Sequence, residues 1–506
     1  MRHVSIQSKR WHAIETEIVL NPFIRFSRAG ATPVVAAIAV ALTTSITGCV
    51  SSARHAALPS PEIPARWATA LESDGEPLGS PRAEQSEAAS DEAALARSLD
   101  APAGPWWHAF DDGALNALVE TALTNNADLA VAAIRVRRAQ LEAGLVGARM
   151  GPQASLTTAA DAARAFDADR ARVSTGVNAT LSFEVDLWGK LAARRDEAAW
   201  RTQATSADRE AAALLLVGTT AKLYWRIGYL NEAIALGDAS IADAGRAVDL
   251  VQARVAAGAA TPVDAAQARQ QLAALRAEQA NWRIERQAKR NALAWLLNRP
   301  PDASGAEPQG VSGARIPAVR AGLPARVLAR RPDVRAAQSR LRARLANVDF
   351  ARAAMYPDLS LTAELGTSSD MLIRTLQNPV ASIGAAIALP FIQWNAVRLK
   401  AALSENEFEE ATVDFRKTLY GALADVETAL AGKAQLDAEA EQRAHAFEDA
   451  ALAARLARTR FEWGATDAAP WLDAQRAQRS AQLDRVTNQL ARLENRVDLF
   501  LALGGG

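Results

Sequence analysis

One cysteine in 506 residues excludes an intrachain disulfide and any multi-cysteine zinc or iron–sulfur site. Histidine is nearly as scarce. Of His3, His12, His55, His108 and His445, three precede anything that reads as a folded core, too few for a His-centred metal site or a Ser-His-Asp triad. Charge of either sign is not in excess: 57 Lys and Arg balance 57 Asp and Glu, so no global pull toward nucleic acid exists. A long hydrophobic run is missing too. The longest candidate, residues 33–46, falls short of the about 20 apolar residues a spanning helix needs. These absences leave no catalytic constellation, no cofactor motif and no metal site. The pair Asp111-Asp112 reads as a solvated helix start, where negative charge suits exposed amides.

What is present begins with an address. Arg25 and Arg28 precede the short apolar run, the order of a secretory signal. The run ends in Ile46-Thr47-Gly48-Cys49, which resembles the lipobox of bacterial lipoproteins. The resemblance implies cleavage behind Gly48 and lipidation of Cys49. Val50 stands where an aspartate would resemble an inner-membrane retention signal, so the outer membrane is the expected destination. Residues 1–48 are therefore expected to be a lipoprotein signal. Residues 49–104, rich in Ala, Ser, Pro and Glu and poor in large apolar residues, are expected to be a lipidated, unstructured tether, with some local order near Trp67.

Beyond Pro152 the chain is proline-free to Pro262 and alanine-rich, which predicts unusually long helices. Leu223, Ile227, Leu230, Ile234, Gly237, Ile241, Ala244, Val248, Val251 and Val255 alternate steps of four and three, a coiled-coil seam. A helix over about 190–257 would be on the order of 100 Å long. Gly258 supplies a stop, Thr261 an N-cap and Pro262 a first helical position, so the chain folds back into a hairpin. The design recurs 206 residues later, where Arg460 to Thr466 answers to Arg254 to Ala260.

Strands repeat as well. Val177, Ala179, Leu181, Phe183 and Val185 alternate with Asn178, Thr180, Ser182 and Glu184, a period of two. Four strands are expected, about 153–162 and 173–188 in a first repeat spanning 105–300, and about 357–367 and 380–393 in a second spanning 301–506. Trp188 and Trp394 close the second and fourth as interfacial aromatics. A single such strand fits a soluble sheet with one wet face equally well. Four of them behind a lipoprotein signal fit a membrane wall, but four cannot close a barrel and open edges are not tolerated in lipid. Oligomerisation follows, and three copies give twelve strands.

Several motifs now carry a family resemblance. Trp106-Trp107-His108-Ala109-Phe110-Asp111-Asp112, Ser182-Phe183-Glu184-Val185-Asp186-Leu187-Trp188-Gly189-Lys190, Arg330-Arg331-Pro332-Asp333-Val334 and Met355-Tyr356-Pro357-Asp358-Leu359 resemble TolC-like outer-membrane efflux factors. So do Leu472-Asp473-Ala474-Gln475-Arg476 and the ending Leu501-Ala502-Leu503-Gly504-Gly505. The branch resembled is the lipoprotein, NodT-type one that serves RND tripartite pumps. The resemblance implies a mainly α fold with a β-barrel part: long helical hairpins and four transmembrane strands per subunit, completed in a homotrimer as a twelve-stranded barrel and an α-barrel. It implies a passive exit duct for small toxic molecules, no enzyme and no cofactor, working with a periplasmic adaptor and an inner-membrane RND pump. A lipid-anchored coiled-coil scaffold and a protein-secretion duct are the alternatives. In the family an acidic residue after the second tip glycine, Gly464, narrows the periplasmic aperture; Asp467 matches nearest and Thr466 next. Arg254 and Arg460, one turn before the tip glycines, are expected to tie hairpins together by pairing with carboxylates. The chain departs from the family pattern at Asn126-Ala127-Asp128, Val348-Asp349-Phe350 and Trp394-Asn395, which bears on the local turns.

Overall fold

The computed structural model describes residues 62–64, 66–68, 105–164, 171–301, 307–319, 324–369 and 379–505. The expected signal segment, Gly48, Cys49 and most of the expected tether lie outside the described residues. Helices dominate: α1 (Gly113–Asn125), α2 (Ala127–Arg149), α3 (Lys190–Ala256), α4 (Pro262–Leu296), α5 (Pro324–Arg330), α6 (Pro332–Ala353), α7 (Trp394–Glu462) and α8 (Ala468–Ala502). None of the described helices is long and apolar enough to cross a membrane. Strands β1 (Gln153–Arg164), β2 (Ala171–Val185), β3 (Asp358–Ser369) and β4 (Val380–Ala388) form one antiparallel sheet in the order β1-β2-β3-β4.

The heptad seam works as periodicity requires. In α3, 67 residues and so about 100 Å long, Ile227, Leu230, Ile234, Gly237, Ala244, Val248 and Val251 are buried. Gly237 lets Gln279 of α4 come close, and its side-chain amide donates to the Ile234 carbonyl at 3.2 Å and to Asp238 at 2.7 Å.

Near the middle of the long helices the motifs that are far apart in sequence meet. Trp106 stacks on Phe500 with centroids 5.0 Å apart, and Phe110 packs beside Trp225 and Phe500. Asp112 caps α1 by accepting from the Ala114 and Leu115 amides, and its second oxygen accepts from the Tyr224 hydroxyl at 2.9 Å. Burial and that carboxylate partner both push the Tyr224 hydroxyl above its ordinary pKa. Buried Arg331 donates to the Ala422 and Ala502 carbonyls, each at 3.2 Å, and to Asp333 and Asp425 at 2.7 and 2.9 Å. It thereby ties the start of α6 to the middle of α7 and the end of α8. Burial opposes ionisation of Asp333, but the Arg331 guanidinium outweighs it and holds the carboxyl below its usual pKa. Trp67 is itself buried, against Val426, Leu499 and Leu503.

Adjacent helices repeat the strand order. α2 lies beside α3, α3 beside α6 and α6 beside α7, a wall that continues the sheet below its lower rim. Farther down, α4 lies beside α3, α3 beside α8 and α8 beside α7.

Two strand ends differ from the sequence expectation. β2 stops at Val185 rather than 188, because Asp186 turns to cap α3 by accepting from the Leu191 and Ala192 amides. β4 stops at Ala388 rather than 393, because Pro390 starts a 3₁₀ turn over Pro390–Gln393. The departures from the family pattern also find places. Asn126 caps α2 and donates to the Leu296 carbonyl, Val348 is buried with Arg194 over the Phe350 ring, and Trp394 opens α7.

Candidate conduit: sheet wall and hairpin tips

The cross-strand register sorts side chains by face. Leu181 sits opposite Ala154 and Ala363, Ala179 opposite Leu156 and Leu365, Phe183 opposite Leu361, and Ala363 opposite Ile383. Residues directly opposite share a face, so one side of the sheet is apolar over its helix-side half and gives way to Thr158, Thr175, Thr367 and Ser369 farther out. It is uncovered: Leu156 is 72% and Ile383 90% exposed. The other face carries Asn178, Thr180, Ser182, Thr362 and Glu364, with Asn178 donating to Glu364. An uncovered apolar band on one face and polar residues on the other is the division a strand wall needs between lipid and water.

At the helix-side rim the sheet is pinned. Lys190, first residue of α3, bonds Asp358 at 2.6 Å and pairs with Glu184. Burial works against its charge, and the two carboxylates raise its pKa nonetheless. Gly189, at φ +74°, makes the corner. Trp188 donates its indole N–H to the Pro357 carbonyl at 2.8 Å and stacks on Tyr356 at 4.9 Å. Trp394 is exposed at the same rim. Both tryptophans therefore stand just beyond the strands rather than within them, three residues past Val185 and six past Ala388.

Below the rim, α2, α3, α6 and α7 together line a hollow of about 980 Å³. Arginines and carboxylates of all four helices face into it, among them Arg138, Arg201, Arg340, Arg344 and Glu407. Arg340 pairs with Asp208 at 2.5 Å and Arg344 with Glu407 at 2.7 Å. Charges of both signs at this density mark a hydrated face.

The far ends of the hairpins share one backbone design. Gly258 and Gly464 have φ of +73° and +72°. The Ala259 amide donates to the Arg254 carbonyl at 2.8 Å, and the Ala465 amide to the Arg460 carbonyl at 2.9 Å, so both helices end in a Schellman turn. The restarts diverge. Thr261 and Asp264 form a reciprocal capping box ahead of Pro262. Asp467 holds the equivalent N-cap position, yet its carboxylate makes no cap bond. An N-cap side chain seeks the amides of the second and third helical residues, and the third here is Pro470, which has none. Asp467 is left exposed, while Thr466 is half-buried.

Arg254 does not pair with a carboxylate among the described residues. Its guanidinium lies 4.1 Å over the Phe461 ring and donates to the Glu462 carbonyl at 2.9 Å, joining the two hairpins of one chain. Phe461 in turn stacks on Trp471 at 5.0 Å, over Val248, Val251, Ala265 and Leu472. Arg460 is exposed and makes no ion pair among the described residues. Phe461 and Trp471 were not singled out from sequence; their matched positions Val255 and Ala265 are not aromatic, so the duplication offered no signal. Trp463, 85% exposed at the second tip, escaped for the same reason.

The model of the outer membrane efflux protein family matches residues 118–299 and 323–505. The chain is 32% identical over 412 residues to the pyoverdine export outer membrane protein OpmQ of Pseudomonas putida, covering 79% of this chain and 88% of that one. It is 28% identical to the cation efflux system protein CusC of Escherichia coli, again over 79% and 88%. Among solved structures, the outer membrane protein VceC of Vibrio cholerae superposes with a TM-score of 0.74 at 26% identity, over 80% of this chain and all of that one. A CusC structure superposes at 0.76 and 23% identity, a likeness of fold.

Proposed function

Because this chain belongs to the outer membrane efflux protein family and is an efflux duct of the outer membrane, we propose that three copies close head to tail around one axis into a conduit for small toxic molecules. The observation that carries this reading is the continuity of the open sides. β1 and β4 are the free edges of the sheet, and short turns join them to α2 and α7, the two flanks of the helical wall. Open strand edges cannot persist in lipid, and four strands are too few to close alone. Three copies give a barrel of twelve strands, with the apolar face toward lipid and the polar face around the lumen.

The lower ends then gather six hairpin tips, where a periplasmic adaptor engages and, through it, an inner-membrane RND pump supplies the driving force. Three Asp467 carboxylates converge there. Like charges near an axis repel and attract a hydrated cation, which makes the tip a cation-sensitive constriction. Cys49 adds a lipid anchor as a second attachment beside the strands.

The test is to purify the protein in detergent, weigh it by native mass spectrometry and record current in planar bilayers. A trimer that conducts, with current reduced by divalent cations, supports the reading. A monomer or a silent bilayer refutes it.

A further inference from the structure

Below the middle of the long helices, small residues leave a gap. Gly237 and Ser240 of α3 and Ala274 of α4 line, together with α8, a hollow of about 280 Å³. Trp282 of α4 crowds the place where a Gly237 Cβ would stand, so its ring reaches the wall. α3 descends from the sheet while α4 and α8 climb from the tips. Leu236, Trp282 and Leu483 therefore close the end nearer the middle of the helices, and Gln271 and Arg476 the end nearer the tips. One end is apolar and the other polar. All three helices belong to one chain, so the hollow exists independently of ring closure.

Polar groups on its wall lack partners. Arg479 is half-buried there and makes no ion pair or hydrogen bond among the described residues. Burial, and then the charge of Arg476, push its pKa below the ordinary arginine value, which Asp243 and Glu278 oppose from a distance. Asp243 is engaged with Arg246, and Arg476 with Asp473 at 3.1 Å. Gln271 is 5% exposed; its Nε2 reaches the Leu472 carbonyl at 3.5 Å, and its Oε1 has no donor among the described residues. A half-buried guanidinium without an anion and a buried carbonyl without a donor each carry a cost that a ligand can relieve. Glu278 adds an exposed carboxylate on the same wall, with no ion pair or hydrogen bond among the described residues.

We propose that this hollow binds a small aromatic zwitterion, of the kind a free aromatic amino acid presents. The ring takes the apolar end against Trp282 and Leu483, the carboxylate takes Arg479, and the ammonium lies between Glu278 and the Gln271 oxygen. An anion alone leaves Glu278 and Gln271 unanswered, and a cation alone leaves Arg479 so. The volume lies just under the range of about 300 to 1,000 Å³ that holds drug-sized ligands, which suits a molecule of this size. Because α3 and α4 form the first hairpin and α8 belongs to the second, the bound molecule braces one hairpin against the other.

The experiment titrates tryptophan into the full-length protein in detergent by isothermal calorimetry, against a micelle blank. Indole-3-propionate, which lacks the ammonium, and tryptamine, which lacks the carboxylate, are titrated beside it. Saturable binding of one tryptophan per chain is expected, roughly tenfold or more tighter than either analogue, because a site built for both groups is left unpaired by each. Arg479→Gln should reduce tryptophan to the level of tryptamine and leave tryptamine unchanged. Glu278→Gln with Gln271→Leu should reduce it to the level of indole-3-propionate; Glu278→Gln alone, at an exposed position, should give a smaller drop of the same kind should the double variant not fold. Ala274→Trp, also at an exposed position, fills the hollow and should abolish binding of all three. No saturable heat, equal affinity for the three compounds, or tryptophan binding that persists in Ala274→Trp would each overturn the site, whether or not the protein proves trimeric.

Discussion

The two hairpin tips share a backbone and differ in what their side chains do with it. Gly258 and Gly464 take the same left-handed corner, closed by the same pair of amide-to-carbonyl bonds. At the first tip, Thr261 and Asp264 satisfy each other and the helix start. At the second, Pro470 removes the amide that Asp467 would have bound, and the carboxylate stays available. Duplication thus preserved the geometry of the turn, while divergence at two positions moved stability to one tip and an unengaged charge to the other.

Packing is divided unequally as well, and the largest effect should expose that. Phe461 is 1% exposed, clasped between Arg254 and Trp471, whereas its counterpart Val255 is only partly buried. Phe461→Ala should cost about 3 to 5 kcal/mol, the range for emptying a buried aromatic site. Val255→Ala should cost clearly less. Thermal unfolding of the detergent-solubilised protein, followed by circular dichroism, would order the two; equal losses would mean the tips are equivalent after all.

Next come the glycines, where the tips should respond alike. Neither Gly258 nor Gly464 has any atom within 4 Å of where a Cβ would sit. Alanine there meets no clash, and only the left-handed backbone penalty of about 1 to 2 kcal/mol remains. A difference between Gly258→Ala and Gly464→Ala beyond that spread would show that one turn is held by something other than its own backbone.

How much of this was legible beforehand depends on the range of the signal. The seam of α3 and the alternation of β2 are one-dimensional patterns, readable because every residue reports its own face. The duplicated Gly-x-x-Thr and Gly-x-x-Asp spacings were readable for the same reason. The alternation misled only at its ends, since apolar Phe391 continues the period past Pro390, where a 3₁₀ turn has already begun. Contacts across hundreds of residues left no such trace. Arg254 was expected to find a carboxylate, but its partners are a carbonyl and a ring more than 200 positions away. The knot of Trp106, Phe110 and Phe500 and the Arg331 tie join segments whose proximity no local pattern records. The motifs there were recognisable as motifs; what they touch was not.

The caps give a smaller and sharper contrast. Thr261→Ala breaks a reciprocal box and should cost about 1 kcal/mol, whereas Asp467→Ala removes no cap bond and should cost only the ~0.3 kcal/mol of a charge near a helix start. In bilayers the order should reverse, with Asp467→Ala weakening divalent-cation block and Thr261→Ala leaving it unchanged. Single-channel recordings with and without magnesium would decide it.

The smallest effect on stability is the most specific. Pro470→Ala restores the amide at the third helical position, so Asp467 gains a cap bond that contributes about 1 kcal/mol. The same change returns conformational freedom to the unfolded chain, which costs about 0.4 to 1 kcal/mol. The two nearly cancel, and the unfolding temperature should hardly move. The carboxylate, however, is now turned to its own helix, as Asp264 is at the other tip. Cation block should therefore fall in Pro470→Ala almost as far as in Asp467→Ala, although no charge has been removed. Block that survives in Pro470→Ala and disappears in Asp467→Ala would mean that charge alone, not its release from the cap, makes the second tip different from the first.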